Sequence, residues 1–94
     1  MKVILNTHET QWLSEKGKNA CVKNNEGRPM YLELIIDWNI PVIPNYEDGL
    51  ELDGILNEEQ LSYFEEYSFL VSSITYFGNK ELGIHPVIWI KGLD

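Results

Sequence analysis

The sequence predicts an α+β domain in which a largely antiparallel sheet of about four strands packs against one long helix. Three observations lead to this prediction. Short apolar or alternating runs near both ends and in the second quarter of the chain are typical of strands. Residues 57–77 instead carry apolar side chains at helical spacing. A chain of 94 residues can bury one modest core, so residues 1–94 are predicted to form a single compact domain.

The first twenty residues are predicted to contain one strand and one short helix. Residues 2–6 read KVILN, a nearly all-apolar run that favours a buried strand. A short helix is predicted near 8–16, because Thr7 is a suitable N-cap and Gly17 suits the position just after a helix.

Residues 19–38 are predicted to form a β-hairpin around a turn at 24–27, where Asn and Gly tolerate left-handed backbone. The second arm has an apolar residue at every second position, so one of its faces is predicted to pack on the core. The carboxylates Glu33 and Asp37 fall on the opposite, outer face. The predicted core-facing residues are Met30, Leu32, Leu34, Ile36 and Trp38.

An acidic connection is predicted to follow this hairpin. Two prolines within 41–44 exclude a central strand there. Two Asp-Gly pairs, at 48–49 and 53–54, are turn signals, and residues 50–52 between them are predicted to be briefly extended.

The predicted long helix spans about residues 57–77 and begins with a capping box formed by Asn57 and Gln60. Glu58 and Glu59 would face the positive end of the helix dipole, and Gly78 would end the helix. The alternative ends the helix near residue 68 and makes 69–77 a strand, since this stretch contains several β-formers. The long helix is favoured here because the apolar face continues in phase.

The last predicted element is a strand that begins at Val87. Pro86 suits its first position, where a missing backbone N–H costs no sheet hydrogen bond.

The net charge of −8 is unevenly distributed along the chain. Residues 31–79 contain ten carboxylates and no Lys or Arg, whereas residues 1–30 carry a balance of +2. Such a field repels nucleic acid and anionic membranes and attracts basic surfaces. The charge therefore predicts a protein partner with a basic surface, and neither direct nucleic-acid binding nor membrane binding.

Cysteine content and hydropathy predict a cytoplasmic location. Cys21 is the only cysteine, so no disulfide can form within the chain, and this favours a reducing compartment. No apolar run reaches the length of about 18–20 residues that a membrane span needs. The N-terminus also lacks the apolar stretch of a signal peptide.

No motif in the sequence predicts catalysis, a metal or a cofactor. Residues 8–12 begin like a zinc-protease helix, but Trp12 stands where the second His is needed. His8, Cys21 and His85 lack the short spacing of zinc ligands. The acidic connection fails as an EF-hand because Gly49 would occupy the first ligand position. A small enzyme or metal-binding domain is thus the least favoured of three hypotheses.

The predicted binding surface is centred on the acidic face of the long helix. Glu58 and Glu65 are seven residues apart, nearly two helical turns, and Glu59 and Glu66 repeat the spacing, which makes a negative ribbon. The competing interpretation is a face that is merely solvated. The predicted partner-binding residues are Glu58, Glu59, Glu65, Glu66, Glu47, Asp48, Glu51, Asp53, Glu33, Asp37, Phe69 and Tyr76.

These features predict a non-enzymatic, protein-binding inhibitor that mimics nucleic acid and blocks a basic nuclease, CRISPR effector or toxin. In size, charge and α+β build the chain resembles small acidic inhibitors, namely toxin-immunity proteins, anti-CRISPR proteins and DNA-mimic proteins of phages, although no motif assigns it to one family. The second hypothesis is a homo-oligomeric assembly subunit, in which a homodimer forms through Phe69, Tyr76 and an exposed strand edge.

Overall fold

In the computed structural model, which describes residues 1–80 and 83–93, the chain forms a mixed sheet of six strands with two short α-helices. Two single turns of 3-10 helix, Thr10–Trp12 and Leu52–Gly54, lie in the connections. The strands are β1 (Lys2–Thr7), β2 (Val22–Lys23), β3 (Pro29–Asp37), β4 (Gly49–Glu51), β5 (Ser68–Asn79) and β6 (Gly83–Gly92), and the helices are α1 (Glu15–Ala20) and α2 (Glu58–Leu61).

The strand order across the sheet is β2-β3-β1-β6-β5-β4. The first and last strands of the chain lie side by side at the centre and run parallel, with Leu5 opposite Ile88. All other neighbouring pairs are antiparallel. The sheet is therefore mixed rather than largely antiparallel with four strands, and the short strands β2 and β4 form its two edges.

The prediction of one long helix over about 57–77 is wrong, because residues 68–79 form the strand β5. Phe69 is 1% exposed and Val71 is fully buried. In a helix these two side chains would point about 200° apart, so one layer of core could not bury both. In a strand they share a face, and pairing with β6 from Phe69 to Asn79 outweighs the local helical phase. The strand alternative for 69–77 is the one observed.

Local signals at the start of α2 are confirmed, although the helix has a single turn. The Asn57 side chain accepts a hydrogen bond from the Gln60 backbone N–H at 2.8 Å, and the Gln60 side chain accepts one from the Asn57 N–H at 3.1 Å. Gly78 does not end a helix, since it lies within β5.

The short helix predicted near 8–16 is displaced toward the C-terminus. Thr7 is the last residue of β1 rather than a helix cap. The N-cap of α1 is Ser14, whose hydroxyl accepts a hydrogen bond from the Gly17 N–H at 3.1 Å. Gly17 accordingly lies inside the helix.

The predicted hairpin of 19–38 and the predicted strand over 2–6 are confirmed, whereas the last strand is longer than expected. The hairpin consists of β2 and β3, but Met30 is 48% exposed and does not join the core. The strand β6 begins at Gly83, so Pro86 lies within it. Pairing with β1 starts only at Val87, so the missing N–H of Pro86 breaks no bond there.

The two faces of the sheet have different surroundings. On the first, the helical face, the connections and helices contribute Leu13, Leu52 and Phe64 to a core with Leu5 and Ile88. The second, the open face, carries the side chains that alternate with the core-facing ones along the central strands, for example Ile4, Asn6 and Trp89. On the open face the His8 and Trp89 rings stack with 4.2 Å between their centroids, and Tyr31 meets Trp89 edge-on at 5.6 Å.

Candidate functional site

The acidic helical ribbon predicted from the sequence does not exist as one surface. Glu58 and Glu59 lie in α2, whereas Glu65 and Glu66 lie in the loop between α2 and β5. The Glu59 carboxylate accepts a hydrogen bond from the Lys16 ammonium of α1 at 2.9 Å, in an exposed ion pair. Because α2 has only one turn, seven-residue spacing no longer aligns these carboxylates.

The acidic connection, in contrast, places four carboxylates along one edge of the sheet. Glu47, Asp48, Glu51 and Asp53, here called the acidic edge, flank or belong to β4, and all four are exposed. Within residues 1–80 and 83–93, none of the four lies within 4.0 Å of a Lys or Arg nitrogen. Their negative charge is therefore directed at solvent.

Hydrogen bonds to β5 hold the backbone of the acidic edge in place. The Glu47 N–H donates to the Val71 carbonyl at 2.8 Å, and the Val71 N–H donates to the Asp48 carbonyl at 2.9 Å. The Glu51 carboxylate accepts a hydrogen bond from the Ser68 hydroxyl at 2.7 Å. The acidic edge is thus attached to the longest strand of the sheet, and its carboxylates are presented from an ordered scaffold.

Glu47 adopts a backbone conformation that is unusual for its residue type. Its φ is 67°, in the left-handed region, at the third position of a turn closed by the Asp48 N–H donating to the Asn45 carbonyl at 3.0 Å. Gly or Asn is favoured at such a turn position because a side chain with a Cβ is strained there. The chain carries a carboxylate in this place at some cost in backbone energy.

We expect Glu47→Gly to raise the free energy of unfolding by about 0.5–1 kcal/mol, because glycine relieves the left-handed strain. Urea unfolding at equilibrium measures the change. The same substitution at Glu26, which is exposed and has no positive φ, serves as the control and should not stabilise. A destabilised Glu47→Gly variant would contradict the strain assignment.

Glu33 and Asp37 lie far from the acidic edge in the sheet. Both are exposed in β3, which is separated from β4 by β1, β6 and β5. The Asp37 carboxylate pairs with the Lys2 ammonium at 2.6 Å. The hydrogen bond and charge of Lys2 lower the pKa of Asp37 below its ordinary value.

Phe69 and Tyr76 do not form an aromatic end of one binding face. Phe69 is 1% exposed and packs edge-on against Phe64, with 5.6 Å between the ring centroids. It belongs to the core, and we remove it from the candidate binding surface. Tyr76 is 65% exposed near the far end of β5.

Three of the seven positive side chains lie at the opposite edge of the sheet. Lys23 is in β2, Arg28 is in the turn before β3, and Lys18 is in α1, which packs against β3. Since β2 and β4 are the two edges, the folded chain is polarised from a mixed, partly basic edge to an acidic one. In the sequence this separation of charge appears only as an excess of basic residues in 1–30 and of carboxylates in 31–79.

The described residues contain no group of side chains that would hold a metal ion, and the thiol of Cys21 is not activated. Over 1–80 and 83–93, no group of three or more His, Cys, Asp or Glu side chains is arranged to hold a metal ion. The Cys21 thiol is buried and donates a hydrogen bond to the Gly17 carbonyl at 3.4 Å. Burial raises its pKa, so it is a neutral thiol rather than a reactive thiolate at pH 7.

Sequence reasoning missed two features that the structure makes prominent. The first is the aromatic cluster of His8, Tyr31 and Trp89 on the open face, which strand pairing assembles from three distant segments. The second is the edge of β5 after Val71 on the side away from β6, where β4 no longer pairs with it. A signal for the second was present, because 67–79 is the longest run without a charged residue in the chain.

Comparison of the chain with protein-family models, with curated protein sequences and with solved structures gives no match. The helices in the described part of the chain are all too short to cross a membrane.

Proposed function

We propose that this protein binds a basic surface on another protein through the acidic edge. The observation that carries the proposal is the group of four exposed carboxylates at 47–53, none of which forms an ion pair with Lys or Arg within 4.0 Å in the described structure. Clustered negative charge accelerates encounter with a basic partner and fixes the orientation of the complex. Glu58, Glu65 and Glu66, which are also exposed and without a Lys or Arg partner in the described part, extend the same field.

Two features favour binding through side chains at this edge. The acidic edge is anchored to β5 by backbone hydrogen bonds, so little conformational entropy is lost when a partner docks. In addition, Glu51 lies on β4 itself, and charge on an edge strand disfavours pairing with a further strand. The carboxylates, rather than the backbone, therefore offer the recognition groups at this edge.

The finer proposal is inhibition. Nucleases, CRISPR effectors and nucleic-acid-directed toxins bind phosphate through Lys and Arg, and a fixed group of carboxylates can occupy such sites as a nucleic-acid mimic. In this proposal the chain is not an enzyme and needs no cofactor. A cytoplasmic location is part of the proposal, because Cys21 is a buried, reduced thiol.

The test is affinity capture from a lysate of the source cells with two variants of equal charge change. The first is the triple variant Glu47→Gln, Glu51→Gln and Asp53→Asn, which keeps oxygen acceptors and leaves Asp48 to accept its hydrogen bond from the Asn45 N–H. The matched control is the triple variant at the other side of the sheet. It carries Glu15→Gln, Glu26→Gln and Glu33→Gln.

We expect the wild type and the control to retain the same basic protein, and the first triple variant to lose it while giving an unchanged circular dichroism spectrum. Nucleic acid should release the retained protein if the acidic edge mimics phosphate. Equal retention by both triple variants would contradict the proposal, since the position of the charge would then be irrelevant.

A second candidate is a homo-oligomeric assembly protein. It is favoured by exposed apolar side chains at one end of the β5–β6 hairpin, where Tyr76, Phe77 and Ile84 are 65%, 52% and 78% exposed. Tyr76 and Ile84 lie on one face of the hairpin and Phe77 on the other, and neighbouring exposed apolar side chains such as Tyr76 and Ile84 are typical of an interaction surface.

A further inference from the structure

The free edge of β5 is the least protected part of the sheet. β4 pairs only with Ser68–Leu70, and the last backbone bonds on that side join Val71 to Glu47 and Asp48. In the part of the chain that the structure describes, no strand pairs with 72–79 on the side away from β6. Since backbone groups alternate in direction along a strand, half of the N–H and C=O groups there point outward.

Natural sheets usually blunt such an edge with charged residues, proline or a bulge. Residues 73–79, SITYFGN, contain no charge and no proline, and the bulge between Val71 and Ser73 lies before them. The other free edges differ, because β4 carries Glu51 and β3 carries Glu33 and Asp37. The edge of β5 therefore lacks the usual protection against strand addition.

Exposed aromatic side chains flank this edge on both faces of the sheet. Tyr76 lies opposite Pro86, and Phe77 lies opposite His85 in β6. Because neighbouring residues in a strand point to opposite faces, Tyr76 is on one face and Phe77 on the other. A strand added here would gain backbone hydrogen bonds and also cover an aromatic ring on each side.

We propose that β5 pairs antiparallel with β5 of a second copy of this chain, about a two-fold axis at Tyr76. Residue 76 is the midpoint of 73–79, so this register pairs the whole unbulged free length with itself. Tyr76 then meets Tyr76 of the second copy, and Ile74 meets Gly78. The two sheets become one continuous sheet of twelve strands.

Charge complementarity favours a second copy over an unrelated strand. The proposed register ends where Lys80, an exposed residue, follows the paired segment. Lys80 would lie opposite residue 72 of the second copy. In that copy the next residue, Val71, is hydrogen bonded through its backbone to Glu47 and Asp48 of the acidic edge. Among the described residues, each copy thus brings the Lys80 ammonium toward the other's acidic edge, twice by symmetry, while the uncharged strand lets two chains of net charge −8 approach.

The test is sedimentation equilibrium over a micromolar range with three variants. Tyr76→Lys places like charges together at the axis, whereas Val42→Lys makes the same charge change at a residue of similar exposure, 66% against 65%. Tyr76→Glu is the third variant, intended for mixing with Tyr76→Lys. Circular dichroism of each variant checks that it is folded.

We expect the wild type and Val42→Lys to reach twice the 10.9 kDa mass of one chain, and Tyr76→Lys and Tyr76→Glu each to remain at the mass of one chain. An equimolar mixture of the two Tyr76 variants should recover the double mass, since opposite charges then face each other at the axis. A monomeric wild type, an undisturbed Tyr76→Lys dimer or a mixture that stays monomeric would overturn the proposal.

Discussion

Phe69→Ala is expected to lower the free energy of unfolding by about 3–5 kcal/mol. Phe69 is 1% exposed, lies opposite Leu50 in β4, and packs edge-on against Phe64. Its ring joins the edge strand to the segment that follows α2, so truncation leaves a cavity that neither side can fill. For a domain whose whole stability is of the order of 5–15 kcal/mol, this loss is large.

Phe77→Ala is the control for this prediction, because it removes the same ring from the same strand. Phe77 is 52% exposed in the single chain, and we expect its loss to cost less than about 1 kcal/mol when unfolding is measured at a concentration too low for two β5 strands to pair. Urea unfolding of the two variants gives the difference directly. Equal costs would contradict the strand assignment of 68–79, since an outward-facing Phe69 belongs to the long-helix alternative.

Gly17→Ala is expected to destabilise the fold by about 1–3 kcal/mol, although the substitution lies inside a helix. In an unobstructed helix the same change stabilises by about 1 kcal/mol. Here a Cβ at position 17 would lie 2.9 Å from the Tyr63 carbonyl carbon and closer still to its oxygen. That oxygen accepts the hydrogen bond from the Ser14 N–H at 3.0 Å, so it cannot move aside without loss.

Gly54→Ala is the matched control, because a Cβ at position 54 has no heavy atom within 4 Å and the residue has no positive φ. We expect its free energy of unfolding to stay within about 0.5 kcal/mol of the wild type. Thermal unfolding followed by circular dichroism distinguishes the two glycines. A Gly17→Ala variant as stable as Gly54→Ala would show that α1 and the 62–64 segment are not in close contact.

Features decided by a few neighbouring residues were predictable from the sequence. The capping box of Asn57 and Gln60 spans only four residues of chain, and the structure has both of its hydrogen bonds. The hairpin of β2 and β3 depends on a local turn and on alternation over one arm. In both cases no distant contact competes with the local preference.

Features decided by distant pairing were not predictable in the same way. The stretch 68–79 fits a helical period and also contains β-formers, so only its partner β6 decides between the two. The parallel pairing of β1 with β6 joins the two ends of the chain and leaves no local signal. The helix α2 is short because the residues from Ser68 onward pair with β6 as a strand instead of continuing the helix.

The candidate site, too, was predictable in its composition but not in the placement that distant strand pairing gives it. Composition predicted an acidic surface and included Glu47, Asp48, Glu51 and Asp53, but it placed the centre of that surface on a helix. The acidic edge exists because Leu50 pairs with Phe69, which puts the connection at the margin of the sheet. The same pairing buries Phe69 in the core. The sequence does not show this pairing, and Phe69 was therefore predicted to be an exposed partner-binding residue.

The central claim is that the position of the acidic edge, rather than net charge, determines partner binding. Its most direct test is calorimetric titration of the captured basic protein at low and moderate salt with the wild type and the two triple variants. We expect the 47/51/53 variant to bind at least about tenfold more weakly at low salt, equivalent to about 1.4 kcal/mol, with a smaller loss of affinity on adding salt. The 15/26/33 variant should bind within about twofold of the wild type. Equal weakening of the two variants, or none in either, would contradict the claim.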